Sequence, residues 1–117
     1  MQYLVNAEWA AELEPLMSPE QFVRLLDQTV LPGLDQLAQW EEEGKIHGGF
    51  FPGERAGAWV FEADSGEELT RTLSSLPFWP QMKWQVKALH SSRGSVETQQ
   101  EVRERLGTVV SQAAQSR

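Results

Sequence analysis

The first residues of the chain alternate between apolar and polar side chains, a pattern typical of a half-buried β-strand. Within Gln2–Trp9, the side chains of Tyr3, Val5, Ala7 and Trp9 share one face, and the residues between them share the other. The alternation therefore predicts a first strand that turns one face toward a core.

Three further segments carry strand patterns. Residues 82–89 alternate in the same way, and residues 45–51 and 56–63 flank the turn sequence Pro-Gly-Glu-Arg. Two short apolar runs around such a turn are typical of a β-hairpin. We therefore expect four strands, of which the second and third form a hairpin.

Two helices are predicted between the strands, and each begins with a capping-box pattern. Ser18 and Gln21 open a long helix, and Ser65 and Glu68 open a shorter one. In this pattern the serine side chain accepts from a backbone N–H of the first turn, and the Glu or Gln side chain accepts from the backbone N–H of the serine. Pro77 marks the end of the shorter helix, because proline cannot continue it.

The long first helix carries a break signal near its middle. Pro32 has no N–H to donate and its ring clashes with the preceding turn, and Gly33 follows it directly. The helix is expected to split or bend here, to resume over residues 34–43 and to end at Gly44. Residues 11–17, before the helix, are expected to form a loop.

The order of these elements is β-α-β-β-α-β. It predicts an α+β domain of the ferredoxin-like type over residues 1–91, with a four-stranded antiparallel sheet and both helices on one face. A polar joint of sequence HSSRGS is expected to follow, and residues 96–115 show an apolar stripe at helical spacing. We therefore predict an additional C-terminal helix within an extension at residues 92–117.

Composition and charge exclude several classes of function. The formal net charge is -7 without a Lys/Arg cluster, so nucleic acid and anionic membranes are not expected as partners. The chain has no cysteine, which excludes disulfides, thiolate catalysis and cysteine-ligated metal. The N-terminal sequence has no basic segment followed by a long apolar run, so a cytoplasmic location without a membrane span is expected.

One segment resembles the muconolactone isomerase family. The resemblance lies in the succession of a small helix, a Leu-Pro-apolar-aromatic-Pro link and a last strand, and it extends over residues 1–91. The matching residues are Glu67-Glu68-Leu69, Leu73, Leu76-Pro77-Phe78-Trp79-Pro80, Trp84-Gln85-Val86, Leu89 and Trp59-Val60-Phe61. The resemblance implies a dimeric α/β barrel, often assembled into larger rings, and a proton shift within an unsaturated lactone without metal or cofactor.

Polar side chains fall on the strand face that points away from the helices. This face carries Asn6, Glu8, His47, Lys83 and Gln85, and in a barrel dimer it would line a cavity. His47 is a candidate acid/base group because its reference pKa lies near neutrality, and Glu8 is a candidate base. Asn6, Lys83 and Gln85 are candidate substrate-binding residues. The alternative interpretation is that His47 is an ordinary surface or hydrogen-bonded histidine of a strand and that Glu8 is a solvated carboxylate at the rim of the sheet.

Phe78 and Trp79 have two interpretations. Held between Pro77 and Pro80, they either plug the end of the core or form the lip of a substrate pocket. No metal is expected, because the two histidines are far apart and lack the spacing of a metal motif.

The leading hypothesis is a small cofactor-free protein that binds or isomerises a small unsaturated acid or lactone by proton transfer. The alternatives are a non-catalytic oligomeric ligand-binding or assembly protein and a cofactor-independent monooxygenase of the same superfamily. We also expect at least a homodimer with facing sheets, and a C-terminal helix that packs on a neighbouring subunit. The alternative is a tail that folds back on its own chain or stays disordered.

Overall fold

The computed structural model describes residues 1–10 and 17–115, so most of the loop predicted at 11–17 lies outside the described residues. The four predicted strands form one antiparallel sheet in the order β2-β3-β1-β4. The strands are β1 (Gln2–Trp9), β2 (Ile46–Phe50), β3 (Ala56–Glu62) and β4 (Met82–Leu89). The predicted ferredoxin-like βαββαβ succession is thus confirmed.

The strand register confirms the predicted assignment of faces. Val5 lies opposite Trp59 on β3 and opposite Val86 on β4, so these three side chains share the helix side of the sheet. Val5 and Trp59 are buried in the core, whereas Val86 is 43% exposed because it lies on an edge strand. The helix layer therefore covers the middle of the sheet and leaves part of β4 open.

The long first helix is not split at Pro32-Gly33 and does not resume at residue 34, because the chain stays helical from Pro19 to Glu42 and only its hydrogen-bond pattern changes just before the proline. It consists of α1 (Pro19–Leu25), a π-helical segment (Leu26–Val30) and α2 (Leu31–Glu42). The backbone N–H of Leu31 donates to the carbonyl of Leu26, five residues back. The wider turn is one way for the chain to stay helical around a residue that cannot donate.

Both helix starts follow from their capping serines. At α1, the Ser18 hydroxyl accepts from the Gln21 N–H, and the Gln21 side chain accepts from the Ser18 N–H. At α3 (Gly66–Ser74), Ser65 accepts from the N–H of Glu68, but the Glu68 carboxylate accepts from Asp64 rather than from Ser65. The second capping box is therefore only half formed.

The core lies between the helix layer and the sheet. It joins side chains of β1, β2 and β3 to the buried face of α2, to α3 and to the link that follows α3. Its largest fully buried side chains are Trp59, Phe78, Ile46, Leu69, Leu73, Leu76 and Val5.

A glycine allows β2 to lie close to β3. Gly48 has φ +143°, and a Cβ there would lie 2.1 Å from the carbonyl oxygen of Ala58. Any other residue at this position would clash with the neighbouring strand and strain the backbone.

The C-terminal helix is longer than predicted, and the expected joint is wrong for most of its length. α4 spans Ser92–Gln115, so four of the six residues assigned to the joint are helical. The Ser91 hydroxyl accepts from the Gly94 N–H and the Ser91 carbonyl accepts from the Ser95 N–H, which makes Ser91 the cap of the helix. None of the described residues of α4 is buried. No helix within residues 1–10 and 17–115 is long and apolar enough to cross a membrane.

Candidate functional site

The sheet face away from the helices brings four of the predicted site residues together. Glu8 lies directly opposite Lys83, and Asn6 lies directly opposite Gln85, in the pairing of β1 with β4. These four residues line an open depression of about 510 Å³ together with Phe51. The depression places a carboxylate, an ammonium group and two amides within reach of one small molecule.

His47 lies apart from this cluster. It shares the same face of the sheet but pairs with Val60, four residues along β3 from the partner of Glu8. Two strand spacings across and four residues along separate the Cα atoms of His47 and Glu8 by roughly 16 Å. Within one subunit, these two residues are therefore too far apart to exchange a proton with the same atom of a small substrate.

The link between the two prolines places one of its aromatic side chains in the core and the other at the edge of the core. Phe78 is 2% exposed and belongs to the core, where its ring packs edge-on against Trp84 at 6.2 Å between ring centroids. Trp79 is half-buried, stacks on Trp84 at 5.0 Å, and its carbonyl accepts from the Trp84 indole N–H. Phe78 also forms part of the wall of a pocket, which Trp79 does not line.

That pocket lies on the helix side of the sheet, and we call it the helix-side pocket. It has a volume of about 330 Å³, and of the described residues that line it, eight are apolar and two are charged. The apolar residues are Trp9, Phe22, Leu26, Val30, Leu34, Phe50, Phe78 and Met82, and the charged residues are Glu54 and Arg55.

Local sequence explains how the pocket forms. The π-helical segment begins at Leu26 and ends at Val30, and both of these residues line the pocket. Such segments inside α-helices occur frequently at functional sites. Glu54 and Arg55 belong to the β2–β3 turn, and the Arg55 guanidinium carbon lies 5.4 Å from the centre of the Phe22 ring. The hairpin and α1 thus meet at the edge of the pocket through a cation–π contact.

Sequence reasoning missed Glu54 and Arg55. Both lie in the turn sequence Pro-Gly-Glu-Arg, which signals a change of direction but does not fix where side chains point. The alternation of faces along β3 could have indicated Arg55. Continued toward the N-terminus by one residue, it places Arg55 on the same face as Gly57 and Trp59.

Two buried polar atoms lie where β1 ends and β4 begins. The indole Nε1 of Trp9 and the side-chain oxygen Oε1 of Gln81 have no hydrogen-bond partner within the described part of the chain. Their backbones meet nearby, since the Ala10 N–H donates to the Gln81 carbonyl at 3.0 Å. No group of three or more His, Asp or Glu side chains suited to a metal ion occurs within residues 1–10 and 17–115.

The strand order and the βαββαβ succession define a ferredoxin-like α+β domain with an apolar pocket under its helices. A family model described as muconolactone delta-isomerase matches residues 1–93, and the chain belongs to this family. A crystal structure of muconolactone isomerase is 30% identical in sequence, with a TM-score of 0.57 over 79% of this chain and 93% of that one. A comparison with curated protein sequences found no match.

Proposed function

We propose that the protein binds a small unsaturated acid or lactone in the helix-side pocket and isomerises it by moving a proton between two carbon atoms. The observation that carries this proposal is the composition of the pocket, whose described lining combines apolar walls with the carboxylate of Glu54 and the guanidinium group of Arg55. Membership of the muconolactone delta-isomerase family supports the choice of substrate class.

The size and lining of the pocket suit a small ring. Ligand pockets in proteins range from about 300 to 1,000 Å³, so a volume of about 330 Å³ lies at the small end of that range. Apolar walls favour burial of the hydrocarbon part of a ligand, and a few polar groups at the edge fix its orientation.

The reaction needs only a group that accepts and returns one proton. A base removes a proton from the ring carbon that is conjugated with the carbonyl through the double bond, and the electrons of the broken C–H bond pass into the unsaturated system as a dienolate. The same proton then forms a new C–H bond at another carbon, so the step is redox-neutral and balanced. Among the described residues that line the pocket, Glu54 supplies a carboxylate, and it is our candidate for this base.

The sheet-face depression is a second place for the same chemistry. It is favoured by the convergence of Asn6, Glu8, Lys83 and Gln85, and a second subunit with a facing sheet would close it. In that arrangement Glu8 is the candidate base.

Single substitutions distinguish the two places. We expect the wild-type protein to isomerise muconolactone and Glu54→Gln to lower kcat by about 10²- to 10⁴-fold, the usual contribution of a general base. Glu8→Gln should change kcat much less, and Glu41→Gln, at an exposed position late in α2, serves as the matched control. Proton NMR in D₂O measures turnover and deuterium incorporation together.

Opposite outcomes have clear meanings. A large loss with Glu8→Gln and none with Glu54→Gln would move the reaction to the sheet-face depression. Full turnover by both variants would contradict a role for either carboxylate.

A non-catalytic ligand-binding function is the second candidate. It is favoured by the exposure of Glu54, because a carboxylate in contact with water is not desolvated in the manner of many catalytic bases. Muconolactone that raises the melting temperature but remains unchanged at saturating protein would support binding without catalysis.

A further inference from the structure

A single cation occurs among the described residues that line the helix-side pocket, and it is the guanidinium group of Arg55. Its position is fixed from two sides. The Arg55 carbonyl accepts from the Trp9 N–H at 2.8 Å, which ties the backbone to the end of β1, and the guanidinium lies over the ring of Phe22. Phe22 also lines the pocket, so the charge lies where the apolar walls meet the hairpin.

A carboxylate that enters such a site must find a cation. Moving an anion from water to an apolar surface is unfavourable unless the anion is paired and hydrogen-bonded. A guanidinium group has five N–H donors in a planar arrangement that matches the two oxygens of a carboxylate, so it can bind one in addition to its existing contacts.

We propose that Arg55 binds the carboxylate of the substrate at the hairpin end of the helix-side pocket, while the unsaturated part of the substrate lies between the helices and the sheet. This inference rests on the proposed function only in placing the ligand in this pocket. It narrows the substrate class to small carboxylic acids, including lactones that carry a free carboxylate, and it excludes neutral lactones and esters as good ligands.

The excess of negative charge in the chain sharpens this expectation. With a formal net charge of -7, the surface as a whole repels anions. An acid that nevertheless binds more tightly than its neutral ester therefore reports a local cation rather than the general field of the protein.

The test uses two non-reactive probes with the same apolar body, phenylacetate and methyl phenylacetate. Isothermal titration calorimetry of the full chain should show that the acid binds more tightly than the ester. Arg55→Gln should weaken binding of phenylacetate by about tenfold or more, the usual effect of losing a hydrogen bond to a charged group, and leave the ester unchanged. The affinity of Arg55→Lys for phenylacetate should lie between those of the wild type and Arg55→Gln, because an ammonium group keeps the charge but cannot form two parallel hydrogen bonds with a carboxylate.

The matched control is Arg71→Gln, which removes the same charge from an exposed position on α3 that does not line this pocket. It should bind both probes as the wild type does, and thermal unfolding shows whether each variant is folded. Phenylacetate binding that survives Arg55→Gln, an equal loss with Arg71→Gln, or no binding of either probe by the wild type would overturn the proposal.

Calorimetry also separates this inference from the proposed reaction. If the preference for the acid depends on Arg55 but muconolactone is not turned over, Arg55 is supported as the carboxylate-binding residue and the isomerase function is contradicted. If muconolactone is turned over equally well by Arg55→Gln, the reaction is supported and the role of Arg55 in binding the carboxylate is contradicted.

Discussion

Replacement of Phe78 by alanine is expected to lower the free energy of unfolding by about 3–5 kcal/mol, the range for a large aromatic side chain deleted from a core. Phe78 is 2% exposed, packs edge-on against Trp84, and fills the space that Gly33 leaves on α2. A Cβ at Gly33 would lie 2.6 Å from the Phe78 ring, so helix and ring are in close contact. Urea denaturation followed by circular dichroism measures the change.

Two variants serve as controls for this prediction. Phe78→Leu keeps most of the buried volume and should cost much less than the alanine variant. Trp79→Ala removes a larger side chain that is only half-buried. Comparison of its unfolding free energy with that of Phe78→Ala therefore separates the effect of burial from the effect of side-chain size. A loss below about 1 kcal/mol for Phe78→Ala would show that the link between the two prolines is not part of the core.

The second large effect concerns assembly. Full-length protein is expected to have at least twice the 13.2 kDa mass of one chain in light scattering. A single chain has a radius of gyration of 21.5 Å, whereas a compact domain of this length has about 13 Å, because α4 projects from the domain. The apolar stripe of α4 is exposed, up to 67% at Val110, whereas helices in proteins gain most of their stability by packing such a face. We expect a neighbouring subunit to cover it.

Deletion of residues 92–117 tests this expectation, and a pair of point variants refines it. Leu106→Glu places a charge within the stripe, and Ser111→Glu places the same charge on the opposite side of α4. The deletion and Leu106→Glu should lower the number of chains per particle, calculated from the measured mass and the mass of each variant chain, and Ser111→Glu should not. An unchanged number of chains after the deletion would show that α4 takes no part in assembly. A monomer of the 117-residue chain would also contradict the facing sheets.

The fold was predictable because its signals are local and periodic. Alternation in β1 and β4 fixes which residues face the helices, and a one-residue shift would turn every core side chain to the solvent. Pro32 led us to expect a split or a bend in the first helix, whereas the chain stays helical from Pro19 to Glu42. The proline did not predict the π-helical segment before it, because a helix can pass a proline by bending, by splitting or by widening a turn. Ser91 was assigned to a joint because serine suits both loops and helix caps.

The candidate site was predictable only in part. The period of two correctly placed Asn6, Glu8, Lys83 and Gln85 on one face, but it could not tell how far along that face His47 lies. That distance depends on the register of two successive strand pairs, which local sequence does not specify. The helix-side pocket was missed because it forms between α1, the π-helical segment and the hairpin, three segments that come together only in the folded chain.

The most direct test of the central claim is to locate the ligand by NMR. In protein labelled with ¹⁵N, titration with muconolactone should shift the indole N–H signal of Trp9, which lines the helix-side pocket. The side-chain amide signals of Asn6 and Gln85 report on the sheet-face depression, and the indole signal of Trp40, which lines neither cavity, is the control. We predict a saturable shift at Trp9 with the other three signals unchanged. A shift at Asn6 and Gln85 without one at Trp9 would contradict the helix-side pocket as the binding site.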